Sequence, residues 1–107
     1  KIELRNYDIF CYLKKNKKQI ALTKSSNLGF LRKFNLPKIK ERSKKKKNWR
    51  FLCNYQNSIS NKKLNINLYY KFSSKLPPQY NWFSLNKNRE FIPSFTKKIF
   101  TQVLNLY

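Results

Sequence analysis

The sequence predicts a small protein of mainly short α-helices with irregular extended segments. A small β-hairpin or strand is expected in its C-terminal half, with no large independent core. Three observations predict this. Apolar residues recur at helical spacing near both ends: Leu4, Tyr7 and Cys11, then Phe95, Ile99 and Val103. Leu64, Ile66, Leu68, Tyr70 and Phe72 alternate strictly with Asn65, Asn67, Tyr69 and Lys71, as in a half-buried strand. And the 107 residues carry 25 Lys and Arg against four acids, a net charge of +21 that repels itself in a free compact domain.

Residues 3–19 read as a basic helix, with Lys14, Lys15, Lys17 and Lys18 complementing the negative end of its dipole. Such a helix packs on a protein neighbour or lies on nucleic acid. Residues 20–30 read as a loop, because Thr23, Ser25, Ser26 and Asn27 precede Gly29, the chain's one glycine. Hydroxyls and backbone N–H groups there, with Lys24, suit a phosphate or an ordinary solvated turn. Leu36-Pro37 predicts the start of a second helix running to about Asn48, since proline is tolerated in a first turn. Lys44, Lys45, Lys46 and Lys47 would follow one another around that helix, so they face solvent or phosphate.

In the C-terminal half the alternating strand needs a partner, either residues 50–56 as a hairpin or another protein's sheet. Residues 73–79, with Pro77-Pro78, read as a turn or linker. Tyr80, Trp82 and Phe83 form an aromatic knot that suits a protein contact or base stacking. A last helix is expected over residues 95–106, with Ser94 as its cap and an apolar stripe that docks on a neighbour.

The charge implies a polyanionic partner, whose phosphates offset the repulsion and whose counterions leave on binding. RNA, DNA and a membrane surface all qualify. Aromatic residues make up 17% of the chain, too many for an ordinary disordered basic tail. In residues 29–42 the rings Phe30 and Phe34 interleave with Arg32 and Lys33, and Lys38, Lys40 and Arg42 follow. Flat rings stack on unpaired bases while cations track phosphates, which favours RNA.

The chemistry of enzymes is missing. The chain has no histidine, and Glu3, Asp8, Glu41 and Glu90 are dispersed among cations. One glycine cannot build a glycine-rich phosphate loop. Neither an enzyme nor a cofactor is expected. Cys11 and Cys53 stand 42 positions apart and cannot supply a four-ligand zinc site. They read as reduced thiols, a disulfide being the alternative. No apolar run reaches the ~18–20 residues that cross a bilayer, and no membrane partner is expected. Lys1-Ile2-Glu3-Leu4 does not resemble a leader peptide, so synthesis in the compartment of action is the expectation.

Residues 29–42 also resemble the C-terminal half of small-ribosomal-subunit protein 14, a universal ribosomal family. Its members read roughly G-[FYV]-x-R-K-F-x-[IL]-S-R-I-x-x-R here, and Gly29, Phe30, Arg32, Lys33, Phe34, Leu36, Ile39 and Arg42 fall on that pattern without a gap. Lys38 is a like-charge replacement. Lys17, Lys18, Gln19 and Ile20 stand where the family has R-N-R-C, and Lys46-Lys47-Asn48-Trp49 resembles its K-x-S-W ending. The resemblance divides the chain into a basic N-terminal helix (1–16), a family-like core that binds ribosomal RNA (17–49) and an extension that contacts proteins (50–107). It implies a ribosomal-protein type of fold and a place in the subunit head, on the 3′ domain of the RNA beside ribosomal proteins three, ten and nineteen. A homo-oligomer is not expected. The abundance of Lys, Asn, Ile, Phe and Tyr reflects A/T-rich codons and points to an organelle, a mitochondrion before a plastid. The alternative function is that of a free-standing DNA-binding protein of a nucleoid or regulatory kind.

Overall fold

The computed structural model of the chain describes residues 2–24, 35–41, 48–86 and 93–107. Among them are six strands, all in one sheet, and one helix. The strands are β1 (Glu3–Leu13), β2 (Gln19–Leu22), β3 (Lys38–Glu41), β4 (Arg50–Ile59), β5 (Lys62–Phe72) and β6 (Asn81–Ser84); the helix is α1 (Ser94–Leu104). The expected mainly helical fold is therefore corrected to a mainly β one.

β1 takes the place of the expected basic helix over residues 3–19. Its period is two: Tyr7, Ile9, Cys11 and Leu13 are buried in the main core, while Phe10 and Tyr12 lie on the opposite face. From Ile9 to Leu13 the strand is apolar on both faces and reads as a continuous hydrophobic run, which also contains helical spacings. The second expected helix, 36–48, is corrected too. Leu36 makes a bridge, residues 38–41 are β3, and Asn48 lies in a turn with φ 69°. Pro37 stands just before β3, a position where a strand tolerates its missing N–H.

β1 is the central strand. Along its whole length it pairs in parallel with β5, from Glu3↔Lys62 to Leu13↔Phe72. β4 lies antiparallel outside β5, so the hairpin expected from 50–56 and 64–72 is present and longer, with an irregularity between Phe51 and Cys53. Its tight connection places Ser60 at φ 56°. The other edge of β1 is shared. β2 pairs near its C-terminal end, at Leu13↔Ile20, and β3 pairs along its middle, from Phe10↔Lys38 to Tyr7↔Glu41. The chain leaves this edge after Leu22 and returns at Leu36. Thr23 and Leu36 close the neck with two backbone hydrogen bonds of 2.8 and 2.9 Å. The Thr23–Leu36 bridge thus brings the end of β2 next to the approach to β3. β6 completes the sheet outside β2.

α1 covers one face. Phe95, Ile99, Phe100 and Val103 are buried with Ile9, Leu13, Ile20, Leu22, Leu64, Ile66 and Leu68. Leu36 and Leu85 close the margins. The expectation of a chain without a large core is corrected: the core is contiguous and joins strands from residues 1–16, 17–49 and 50–107. At the start of α1, Pro93 rather than Ser94 is the cap, in an extended conformation and without a side-chain cap bond. The helix is held from outside the core by Lys98, whose Nζ donates to Asn57 Oδ1 at 2.9 Å, and by Thr96, whose hydroxyl donates to the Asn35 carbonyl at 2.9 Å.

Candidate nucleic-acid interface

The face of the sheet opposite α1 carries a different chemistry. Strand register places Asp8, Phe10 and Tyr12 of β1 beside Asn67, Tyr69 and Lys71 of β5, with Lys40 and Lys38 of β3 on one side and Asn54 and Phe51 of β4 on the other. One part of this face is a polar ladder. Asn65 donates to Asn6, Asn54 donates to both Asn65 and Asn67, and Asn67 donates to Asp8, at 2.8 to 3.3 Å. The bonds tie β4, β5 and β1 together and leave amides along the surface.

The other part is aromatic. Phe10 stacks on Tyr69 at 5.4 Å and meets Trp49 at 5.0 Å; Tyr12 meets Trp49 at 5.0 Å and Tyr80 at 6.2 Å; Phe51 meets Tyr69 edge-on at 5.5 Å. Phe10 and Tyr69 are buried beneath, whereas Tyr12, Trp49 and Tyr80 are half-buried and Phe51 is 56% exposed. Cations sit on the rings. Lys71 Nζ lies 4.6 Å from the Trp49 ring centre and 5.2 Å from that of Tyr12, and Lys14 Nζ lies 5.5 Å from Trp82. Each such contact contributes about 0.5–1 kcal/mol at an exposed site.

The electrostatics favour an anion. Burial, then the charges of Lys40 and Lys71, pull the Lys38 ammonium below the usual lysine value. A phosphate at this point would relieve that repulsion. Among the described residues the acid on this face is Asp8, buried beside Asn67. Rings on a sheet with cations between them form a surface on which unpaired bases stack while the backbone is neutralised.

Of the residues singled out from sequence, Lys38 and Lys40 lie on this face. Lys17 and Lys18 are exposed in the β1–β2 turn, and Lys24 is exposed just after Thr23. Gly29, Phe30, Arg32, Lys33 and Phe34, as well as Arg42, Lys44, Lys45, Lys46 and Lys47, lie outside the described residues. The larger part of the face was not anticipated: Phe10, Tyr12, Trp49, Phe51, Tyr69 and Lys71. One signal did point there. Tyr69 and Lys71 are the polar-side partners in the alternation of β5, so a basic aromatic second face was written in that strand.

The two cysteines are free, Cys11 buried and Cys53 half-buried with its thiol 3.6 Å from Gln102 Oε1. Burial raises both thiols above their ordinary value. Among the described residues no three His, Cys, Asp or Glu side chains gather as a metal site would require, and no helix is long and apolar enough to cross a membrane. No protein-family model matches the chain, and no curated protein matches it.

Proposed function

We propose that this chain is a non-enzymatic RNA-binding protein, a structural constituent of the small subunit of an organellar, mitochondrial ribosome. The observation that carries the RNA-binding part is the open sheet face, where Trp49, Tyr12 and Phe51 form stacking surfaces and Lys14, Lys38 and Lys71 stand among them. Duplex DNA is read by an element that enters a groove. A broad sheet face with part-exposed rings instead suits bases that are out of the helix. In the sequence, Phe30, Arg32, Lys33 and Phe34 precede β3 and add a second basic, aromatic segment. The ribosomal setting rests on the run at residues 29–42, and the organelle on the codon bias behind the composition.

The test is sedimentation of organelle extract through a density gradient, in magnesium and after chelation. Co-migration with small-subunit RNA at fixed stoichiometry supports the assignment; migration at the top, or with DNA, refutes it. An Arg32→Glu/Lys33→Glu chain should enter the subunit poorly, and normal incorporation removes those two residues from the interface.

A further inference from the structure

At the end of β5, on the side of the sheet that α1 covers, Tyr70 and Phe72 border a cleft of about 610 Å³. That volume lies within the range of about 300–1,000 Å³ usual for small-molecule sites. Its walls are three rings, Tyr70, Phe72 and Tyr107. Successive rings are 5.9 Å apart and nearly perpendicular, at 79° and 87°, so they form corners rather than a closed stack. Phe72 and Tyr107 remain 44% and 39% exposed, and the Tyr107 hydroxyl donates to the Lys14 carbonyl at 3.3 Å. A flat heterocycle fits against one ring with its edge toward the next.

The polar lining is equally one-sided. Lys15, Arg50 and Lys71 supply three cations, and among the described residues no acid lines the cleft. Asn16 and Asn48, held in left-handed turns at φ 68° and 69°, complete it with amides. Amides donate to and accept from base edges. The cleft adjoins the open face around the end of β5, where Lys71 lines the cleft while its ammonium lies over Trp49 and Tyr12 on the open face.

We infer that the cleft receives one unstacked nucleotide of the RNA strand lying on the open face, with its base against the Tyr70–Phe72–Tyr107 corner and its phosphate between Lys15 and Arg50. This rests on the RNA-binding reading above and adds an address to it. Lys15 and Arg50 are exposed and outside the core, so their replacement leaves the fold intact.

The experiment is photo-crosslinking of the full chain to a single-stranded oligouridylate carrying 4-thiouridine, with adducts mapped by mass spectrometry. Adducts on Tyr70, Phe72 or Tyr107 are expected. Their yield should fall about fivefold in Arg50→Ala and Lys15→Ala at about 0.1 M salt, the order of one lost phosphate contact, while adducts on Trp49 and Trp82 persist. Binding of the oligonucleotide with adducts confined to Trp49, Trp82 and their neighbours, unchanged by Arg50→Ala, overturns the cleft and leaves the face. Absence of binding overturns both.

Discussion

Lys71→Gln separates a specific RNA-binding face from the general attraction of a +21 chain for any polyanion. Glutamine keeps much of the side chain over Trp49 and Tyr12 but removes the ammonium that lies 4.6 and 5.2 Å from those rings. Two consequences follow from that geometry. The free protein loses cation–π attraction of about 1 kcal/mol in total at this half-exposed position, a few degrees in melting temperature for a domain of about 100 residues. On RNA, each neutralised phosphate of a single strand contributes about 0.7 to the slope of log K against log salt. Between about 1 M and about 0.1 M salt that is about fivefold in affinity, or about 1 kcal/mol. The assay is fluorescence-anisotropy titration of a single-stranded RNA at several salt concentrations, with Lys97→Gln as the control. Lys97 is exposed on α1, which covers the other face of the sheet. The slope should decrease by about 0.7 in Lys71→Gln and stay constant in Lys97→Gln. Equal changes in the two variants would refute the face and leave only diffuse charge.

The fold itself makes two further predictions. Ile99 is fully buried where α1 meets the sheet, so Ile99→Ala should cost about 2–5 kcal/mol in urea denaturation of the isolated chain followed by tryptophan fluorescence; a chain without a cooperative transition would contradict the core. The Tyr55 hydroxyl is buried without a hydrogen-bond partner, so Tyr55→Phe should raise stability by about 1 kcal/mol in the same assay, and a loss of that size would mean that the hydroxyl is satisfied. Alkaline pH tests the same groups. Burial lifts the Cys11 thiol and the Tyr55 phenol above their ordinary values of 9.0 and 10.0. Both favour the fold below those values, and the advantage is lost as pH rises past them, because only the unfolded chain then releases the protons. The expected slope is about 1.4 kcal/mol per pH unit for each group, and Tyr55→Phe should flatten the curve above about pH 10.

β5 was legible in the sequence because its two faces differ: leucine and isoleucine toward the core, asparagine and lysine toward the surface. β1 was not, because Phe10 and Tyr12 make its second face aromatic as well, and the spacing of Leu4, Tyr7 and Cys11 then imitates a helix. Leu4 is in fact 72% exposed. β3 was hidden by its brevity and its lysines. Ile39, which is buried, is the one apolar residue of Lys38–Glu41, and Pro37 imitates a helix start. The preference for nucleic acid came from composition, but the face could not, because Trp49, Tyr12 and Lys71 meet only when β4, β5 and β1 are set side by side. No local pattern encodes that register.

The parallel pairing of β1 with β5 also governs the order in which the chain can fold. Every residue of β1 finds its β5 partner 59 positions later, as Glu3 does in Lys62. At synthesis rates of about 5–20 residues per second, β1 waits about 3–12 s for that partner to emerge. Meanwhile β2 and β3 pair only with part of it, at Leu13 and from Tyr7 to Phe10, and its core residues Tyr7, Ile9, Cys11 and Leu13 lack their β5 neighbours. Contacts between strands so distant in sequence form slowly. The strand at the centre of the finished sheet is therefore the one most exposed to misassociation during its making.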